Sequence, residues 1–266
     1  MSFHWINAAD YSFNTLLLMD RWIFNVIAKN RNQEFRRNLA IALAGNPVVH
    51  LYIISKCPEQ KEYYDTLVRE APENYSAKET RNSEVYVLDA LDSFVVYVYP
   101  EIMENLPYIK DWDSERLLSI TDFTDKVVLD IGSGTGRLAF AAASVAKIVY
   151  ASEPVDRLRE YLREKQKRLK VENIYVLDGT IETIPFQNEF FDIVVSGHVF
   201  GDNYEAEWRE MSRVTKSGGF VIDCPGEDDR KKPAGPSKEA IELGFEYSHY
   251  ISKRGGDVYR YWKQKV

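Results

Sequence analysis

The sequence predicts an α/β protein, in which a doubly wound and mostly parallel sheet follows an N-terminal helical domain. Short apolar runs alternate with helix-like stretches from about residue 126 onward, and the runs are apolar on both faces. Strands with that pattern belong to a parallel sheet that is covered by helices on both sides. Residues 1–110 contain one glycine, Gly45, and are patterned as successive helices. We therefore predict two domains, residues 1–110 and residues 111–266.

The first half is predicted to be helical over 14–30, 33–44, 47–56 and 58–70. Gly45 and Pro47 mark the end of one helix and the start of the next, because glycine favours helix ends and proline favours the first turn. Residues 84–99 place apolar side chains at helical spacing but include the β-rich run 94–99, and we predict a helix there. The apolar stretch 16–28 is too short for a bilayer span and is interrupted by charged residues. We predict a core helix there and no membrane partner, with an interfacial membrane helix as the alternative.

The second half is predicted to contain five strands and three intervening helices. The strands are 127–131, 148–151, 174–177, 191–195 and 219–222, and the helices are 137–146, 154–170 and 203–215. Helix 154–170 carries many Lys and Arg residues. A solvated outer face, with Leu158, Leu162 and Leu169 turned inward, explains these charges more simply than a nucleic-acid contact.

The composition is that of an ordinary globular protein and argues against several kinds of function. The 266 residues are 45% hydrophobic, and 34 Lys and Arg against 41 Asp and Glu give a net charge of −7. A net acidic chain is not expected to coat nucleic acid, so no nucleic-acid partner is predicted. The two cysteines, Cys57 and Cys224, rule out a Cys-rich zinc site and a disulfide framework, and they suit a reducing cytoplasmic location.

The run DIGSGTGR at residues 130–137 links the first predicted strand to an alanine-rich helix. A strand, a glycine-rich turn and a helix in direct succession form a ligand-binding unit. The missing side chains let a ligand approach the backbone, and the N–H groups of the turn can bind an anion. A dinucleotide-binding fingerprint would require glycine at position 137, where the chain has Arg137. A purely structural turn is the alternative interpretation.

Three further blocks follow this loop at matching positions. The second predicted strand ends in Ser-Glu-Pro, so that Glu153 lies about 20 residues beyond the first glycine and can accept hydrogen bonds from both hydroxyls of a ribose. The other two blocks are IPFQNEFFDIVVS at 184–196 and EMSRVTKSGG at 210–219. Together with the loop, these blocks resemble the class I S-adenosylmethionine-dependent methyltransferases of the small-molecule type, over roughly residues 113–266.

The resemblance implies a Rossmann-like methyltransferase fold of seven strands, with the last strand, around 258–263, antiparallel. It also implies S-adenosyl-L-methionine as the cofactor and S-adenosyl-L-homocysteine as the product. The glycine loop would hold the methionine half of the cofactor, Glu153 would bind the ribose, and Pro154 or Val155 would flank the adenine. The residues that match the family's cofactor site are Asp130, Gly132, Gly134, Gly136, Glu153, Pro154, Asp178, Thr180, Ile181 and Ser196.

The match departs from the family at the adenine end of the site. The family has an acidic residue at the position of Thr180, so either Asp178 takes over the contact with the adenine amino group or Thr180 binds the base more weakly. The backbone at Ile181 would also contact the ring. Beyond Ser196, the loop 196–204 should face the transferred methyl group, because ligands bind beyond the carboxyl ends of parallel strands.

His198 is the predicted general base if the acceptor carries a proton when it reacts, because histidine titrates near neutral pH. A loop histidine that is hydrogen-bonded to the backbone is the alternative. Asp202 is a second candidate, with capping of the helix that starts near Asn203 as its alternative role. No metal site is predicted. The sequence lacks the Asn/Asp-Pro-Pro-aromatic tetrad of amino-methylating relatives, which lowers the expectation of adenine or glutamine-amide methylation.

We therefore expect metal-independent methyl transfer from S-adenosylmethionine to a small-molecule acceptor at an O, N or C nucleophile. Methylation of RNA or protein is one alternative, and a non-catalytic S-adenosylmethionine-binding module or partner subunit is another. Because family members often carry an N-terminal helical extension over the active site, we hypothesise that residues 1–110 form a lid that selects the acceptor. His4, Trp5 and Tyr11 would then lie near the acceptor, and aromatic packing between the two halves is the alternative.

Overall fold

The computed structural model describes residues 5–201, 203–226, 235–252 and 255–266. It divides the chain into two compact units, Met1–Ile102 and Met103–Val266. This division comes earlier in the chain than residue 110, where the sequence pattern places the boundary. Each unit has hydrophobic core residues of its own.

Helices form the regular structure of the described part of the first unit. They are α1 (Arg21–Lys29), α2 (Gln33–Gly45), α3 (Pro47–Lys56), α4 (Lys61–Arg69), α5 (Ala77–Ala90) and α6 (Asp92–Val98), and α7 (Pro100–Glu104) runs across the division. Ser76 and Glu79 fix the start of α5 in a capping box, in which each side chain accepts a hydrogen bond from the backbone N–H of the other.

The single helix predicted over 14–30 is wrong. Phe13–Leu18 forms a 3-10 helix, and α1 starts only at Arg21 because the backbone is extended at Met19 and Asp20. Residues 84–99 are helical as predicted, with one break at Leu91 between α5 and α6.

Two aromatic residues near the N-terminus have partners within the first unit. The Tyr11 ring packs against the Tyr99 ring, with centroids 5.2 Å apart, and the backbone N–H of Trp5 donates to Asp92 Oδ2 at 3.3 Å. His4, the third residue of the lid hypothesis, lies outside the described residues. Within the part of the chain that the structure describes, no single helix has the length and hydropathy to cross a bilayer. The pair α2 and α3 meets that requirement together, with a 108° bend between them.

In its described residues, the second unit contains a seven-stranded sheet with helices on both faces, which confirms the predicted fold class. The strands are β1 (Val127–Ile131), β2 (Ile148–Ser152), β3 (Ile174–Leu177), β4 (Phe191–Ser196), β5 (Thr215–Asp223), β6 (Glu246–Ile251) and β7 (Asp257–Gln264). Their order is β3-β2-β1-β4-β5-β7-β6. Strands β1 to β5 are parallel, and β7 is antiparallel to both of its neighbours. The helices are α8 (Pro107–Lys110), α9 (Glu115–Leu118), α10 (Arg137–Ala143), α11 (Asp156–Leu169), α12 (Tyr204–Val214) and α13 (Lys238–Glu242).

Successive residues of β1 belong to separate cores on the two faces of the sheet. Val128 lies in the same core as Leu138 of α10, whereas Leu129 lies in the same core as Met211 of α12. This alternation is what a strand buried on both faces requires. It explains why the strands of this unit read as nearly continuous apolar runs.

Helix α11 departs in one place from the solvated face predicted for it. Leu158 and Leu162 are buried as predicted, but Leu169, the last residue of the helix, is 52% exposed. Lys165 is buried instead. Its Nζ donates to the Thr135 carbonyl at 2.9 Å and to Glu104 Oε1 at 2.7 Å, which compensates for the burial of its charge.

The carboxyl ends of four parallel strands lie side by side. Ile131 of β1 is in register with Ser152 of β2 and with Ser196 of β4, and Ser196 is in register with Asp223 of β5. The strand order reverses direction between β1 and β4. Because open parallel sheets bind ligands beyond their carboxyl ends at such a reversal, this edge is the expected site.

Candidate functional site

The glycine loop between β1 and α10 is built on three glycines in the left-handed region. Gly132, Gly134 and Gly136 have φ angles of 66°, 55° and 92°, and only glycine adopts such angles without steric cost. The spacing of glycines in the sequence therefore specifies the shape of this loop directly.

Two of these glycines are packed so closely that a side chain would collide with a neighbour. A Cβ atom on Gly132 would lie 2.5 Å from Cγ1 of Val199, and one on Gly136 would lie 2.6 Å from Cδ2 of Phe140. At Gly134 the closest atom is Sδ of Met103, at 3.5 Å. The outer two glycines thus fix the loop against the protein, whereas a Cβ atom on Gly134 would make only an ordinary van der Waals contact.

The N–H groups of this loop are largely hydrogen-bonded within the protein. Those of Gly132 and Ser133 donate to the Ser152 carbonyl at 2.8 and 3.1 Å, and that of Gly134 donates to Glu153 Oε2 at 2.8 Å. Anion binding by the turn and the start of α10 stays a prediction, although these three N–H groups are not free. The end of β2 and the residue after it already satisfy them.

Glu153 follows β2 directly and is 4% exposed. Its two carboxylate oxygens accept from two backbone donors, Oε2 from the N–H of Gly134 and Oε1 from the N–H of Val155 at 2.9 Å. These bonds hold the carboxylate beside the glycine loop. Glu153 therefore occupies the position from which the family resemblance implies contact with a ribose.

Besides Asp223 Oδ1 at the end of β5, four buried polar atoms at this edge have no hydrogen-bond partner among the described residues. They are Asp130 Oδ2, Thr135 Oγ1, Ser152 Oγ and Ser196 Oγ. A buried polar group without a partner costs about 1–3 kcal/mol, so each such group calls for an explanation, and a bound ligand is one. One carboxyl and three hydroxyl groups fit the polar amino-acid and ribose parts of S-adenosylmethionine.

Two buried carboxyl groups lie at the same edge, Asp130 in β1 and Asp223 at the end of β5. Burial raises the pKa of each to about 7, although the positive charge of Arg137 lowers both pKa values. Near neutral pH, each of these groups is therefore only partly ionised.

These carboxyl groups predict that the protein loses stability as the pH rises from about 4 to about 7. An aspartate in an unfolded chain titrates near about 3.9, so over this interval the unfolded state releases protons that the folded state keeps. The stability is fully present below the unfolded pKa and is lost as the pH passes the folded pKa. One carboxyl group with a folded pKa of about 7 accounts for a loss of at most roughly 4 kcal/mol in the free energy of unfolding over this pH interval.

Urea denaturation at several pH values measures this effect. The free energy of unfolding of Asp223→Asn should fall less steeply with rising pH than that of the wild type. Asp178→Asn, at a side chain that is 76% exposed, should follow the wild type. If the free energy of unfolding changed with pH at the same slope in all three proteins, the raised pKa of Asp223 would be contradicted.

At the adenine end, an arginine links Asp178 to Glu153. Arg159 Nη1 donates to the Glu153 carbonyl at 2.7 Å and to Asp178 Oδ1 at 3.0 Å. Thr180 is exposed, Pro154 is half-buried and Ile181 is buried. Asp178 is thus held close to Glu153, and the choice between Asp178 and Thr180 as the adenine contact stays a prediction.

His198 is exposed on the loop after β4. Its Nε2 accepts a hydrogen bond from the N–H of Gly226 at 3.1 Å, and its ring meets the Tyr108 ring edge-on at 5.6 Å. We assign the proton of the neutral ring to Nδ1, because an accepting nitrogen carries none. This is the backbone-bonded arrangement that the sequence offers as the alternative to a general base. Asp202 lies outside the described residues, and within those residues no group of three or more potential metal ligands occurs.

Arg137 and Asp223 are functional candidates that sequence reasoning did not single out. The Arg137 side chain extends from the start of α10 to the end of β5, where Nη2 donates to the Cys224 carbonyl at 3.0 Å. The arginine at position 137, where the dinucleotide-binding fingerprint has its third glycine, was one sequence feature that could have indicated Arg137. The acidic residue at the end of a predicted strand was another, because such ends face ligands.

The block 210–219 has a structural role. Arg213 forms a two-pronged ion pair with Glu210, at 2.9 and 2.8 Å, and donates to the carbonyls of Phe186 and Ile184. These bonds hold the segment that precedes β4. The block therefore identifies the fold and contributes no side chain to the site described above.

Comparisons with known proteins match part of the second unit to methyltransferases. Residues 129–223 match the family described as a methyltransferase domain. Over 110 residues, the chain is 31% identical to an uncharacterized methyltransferase from Anoxybacillus flavithermus, a match that covers 40% of this chain and 50% of that protein. Over 142 residues, it is 40% identical to protein arginine N-methyltransferase 2 of Dictyostelium discoideum, covering 49% of this chain and 25% of that protein. The chain thus spans about half the length, or less, of the curated relatives it matches.

One solved structure shows the same fold. A SAM dependent methyltransferase from Aquifex aeolicus has a TM-score of 0.50 and 17% sequence identity, and the match covers 62% of this chain and 96% of that one. At that identity the likeness concerns the fold alone. It agrees with the sheet of the second unit.

Proposed function

We propose that the chain, whose residues 129–223 match a methyltransferase domain family, carries a class I S-adenosylmethionine-dependent methyltransferase domain. We further propose that it methylates a small-molecule acceptor at an O, N or C nucleophile, without a metal. The observation that carries the proposal is the edge of the sheet at Glu153. There the glycine loop lies beside the buried carboxylate of Glu153, which accepts from the N–H of Gly134, and Asp130 Oδ2 has no partner among the described residues.

The side chains at this edge suit the parts of the cofactor in order. Glu153 would bind the ribose hydroxyls, and Pro154 and Ile181 would flank the adenine. Asp130 and Ser196 would bind the polar groups of the methionine half, since both lie near the ends of the paired strands β1 and β4. Support for this arrangement comes from the unpartnered polar atoms of these two residues.

Bound S-adenosylmethionine supplies a methyl group on a sulfonium sulfur, a leaving group that is already activated. The task left to the protein is mainly to align the acceptor with that methyl group, and proximity of this kind can contribute about 7–11 kcal/mol. The described residues 196–201 after β4 and 224–226 after β5 border the place where the acceptor would lie. These two segments would therefore carry the acceptor contacts of the second unit.

Methylation of a protein is the second candidate. It is favoured by the 40% identity to a protein arginine methyltransferase, although that match covers 25% of the relative. The test is release of S-adenosyl-L-homocysteine by the full chain, measured against a panel of small molecules and a panel of arginine-containing peptides. The proposal expects acceptor-dependent release with the small molecules. Release with peptides alone would favour the second candidate, and cofactor binding without release in either panel would indicate a non-catalytic module.

His198→Ala separates a general base from a structural histidine. A positioned base contributes about 100- to 10,000-fold to a reaction. Because Nε2 already accepts from the N–H of Gly226, we expect turnover on the true acceptor to fall by less than about 10-fold, well below that range. His198→Gln keeps an acceptor for Gly226 and should be closer to the wild type. A 100-fold loss in both variants would instead assign the base to His198.

A further inference from the structure

Three arginines lie close together at the carboxyl end of β5. Arg137 Nη2 donates to the Cys224 carbonyl at 3.0 Å. Arg260 Nη1 donates to the Arg116 carbonyl at 2.6 Å, and that carbonyl also accepts from the Cys224 thiol at 3.6 Å. Burial raises the pKa of Cys224 to about 11, and the positive charges of all three arginines oppose that rise. Three guanidinium groups therefore act on one buried cysteine.

Within the described residues, none of these arginines forms an ion pair with a carboxylate. Cζ of Arg137 lies 4.5 Å from the centre of the Trp112 ring, and Cζ of Arg116 lies 3.8 Å from the centre of the Tyr250 ring. The buried atoms Arg137 Nη1 and Arg116 Nε have no hydrogen-bond partner in that part of the chain. Two buried guanidinium donors thus lack a partner among the described residues.

A guanidinium group without a counter-charge is unfavourable at a partly buried position. Aromatic faces compensate for only part of the lost hydration, and burial lowers the pKa of Arg137. The carboxyl groups of Asp130 and Asp223 interact with Arg137, but burial raises both of their pKa values to about 7. Within the described residues neither carboxyl group accepts a hydrogen bond from Arg137, so an anion from outside the chain would give Nη1 the partner that it lacks.

The position of the arginines distinguishes them from the ribose side of the cofactor site. The Arg137 side chain extends toward β5, whereas Glu153 follows β2, and β1 and β4 separate these strands in the sheet. A Cβ atom on Gly197, the residue after β4, would lie 2.7 Å from Arg137 Nη2. Arg137 therefore borders the start of the loop after β4, on the side where the acceptor would lie.

We propose that Arg137 and Arg116 bind an anionic group of the methyl acceptor, a carboxylate or a phosphate, so that the protein selects acids over their neutral analogues. A guanidinium group presents paired donors that match both anions. The inference rests on the proposed function, since it names the substrate class of the same site. The carboxylate of the cofactor is the other source of such an anion, and the experiment separates the two.

Tryptophan fluorescence of the full chain can follow anion binding, because Arg137 lies over the Trp112 ring. Acetate and inorganic phosphate are titrated at constant ionic strength, with and without saturating S-adenosyl-L-homocysteine. The proposal expects a saturable response to at least one anion in both conditions. Arg137→Gln and Arg116→Gln should each raise the apparent Kd about 10-fold or more, since a hydrogen bond to a charged group is lost. Arg168→Gln, at an exposed arginine that also lies over an aromatic ring, should leave it unchanged.

Two results would overturn the proposal. One is no saturable response to either anion in the wild type. The other is a response that S-adenosyl-L-homocysteine abolishes, together with weaker S-adenosyl-L-homocysteine binding by Arg137→Gln, because the anion would then be the carboxylate of the cofactor. Arg137→Lys keeps the charge if the glutamine variant does not fold, and it should retain part of the anion affinity.

The anion titration is independent of methyl transfer. If the wild type binds no S-adenosyl-L-homocysteine, the proposed function fails, whereas anion binding in its absence can still be measured. Turnover provides the matching test of substrate class. Acceptors offered as free acids should be methylated, and the corresponding primary amides should be at least about 10-fold poorer substrates; equal turnover of both would also overturn the proposal.

Discussion

Glu153→Gln is expected to weaken the binding of S-adenosyl-L-homocysteine by about 100-fold or more. The carboxylate of Glu153 accepts from two backbone N–H groups, those of Gly134 and Val155, and the proposed ribose contact adds two hydroxyl donors. A glutamine has a single acceptor oxygen, and its NH₂ group would face donors. Each hydrogen bond to a charged group is worth roughly 1.5–3 kcal/mol, so the loss of two of them reaches 100-fold even at the lower value.

Calorimetric titration of the full chain with S-adenosyl-L-homocysteine measures this loss. Glu182→Gln is the matched control, because Glu182 is an exposed glutamate close in sequence to the adenine-side residues. Its affinity should equal that of the wild type. Urea denaturation of Glu153→Gln shows whether the variant is folded. Unchanged affinity in a folded Glu153→Gln protein would remove Glu153 from the cofactor site.

Gly132→Ala is expected to lower the free energy of unfolding by about 2–5 kcal/mol and to weaken cofactor binding. Two costs add up at this position. Alanine at a φ angle of 66° costs roughly 1–2 kcal/mol. The new Cβ atom would also lie 2.5 Å from Cγ1 of Val199, and relieving such overpacking typically costs about 1–3 kcal/mol. Because the loop must shift to relieve the collision, cofactor affinity should fall together with stability.

Gly218→Ala separates the two costs. Gly218 has a φ angle of 79°, and a Cβ atom there would meet no heavy atom within 4 Å. We expect this variant to lose about 1–2 kcal/mol of stability and to bind S-adenosyl-L-homocysteine as the wild type does. Adding Val199→Ala to Gly132→Ala should restore part of the lost stability, since it removes the colliding atoms. Equal losses in Gly132→Ala and Gly218→Ala, measured by urea denaturation, would show that Val199 plays no part.

Most of the second unit could be predicted because its strands are short apolar runs that end in polar or small residues. Strand β5 is the exception, since it starts at Thr215 and the prediction starts at residue 219. Its first residues include a glycine in the left-handed region, Gly218, and such a sequence is typical of a turn. In the first unit, the break before α1 was missed because Met19 is buried and continues the helical spacing of apolar residues. Periodicity does not reveal an extended backbone.

The cofactor side of the site was predictable because its residues act through local conformation. The glycine spacing specifies the loop. The acidic residue directly after β2 can be identified without knowing which distant parts of the chain it contacts. The placement of the Arg137 side chain depends on contacts with Trp112 and Cys224, which lie in distant segments of the chain. The sequence alone therefore shows only that position 137 departs from the dinucleotide-binding fingerprint. Lys165 was missed for a related reason. Its charge is typical of a solvated face, and only the fold brings Glu104 and the Thr135 carbonyl to it.

Hydrogen–deuterium exchange of the full chain, with and without S-adenosyl-L-homocysteine, tests the central claim most directly. The claim is that the cofactor binds at the carboxyl ends of β1, β2 and β4, against the glycine loop and Glu153. The account predicts that the ligand slows exchange in peptides that cover residues 130–137, 152–156 and 196–199. Slower exchange confined to other parts of the chain, or no change in a protein that is folded, would contradict it.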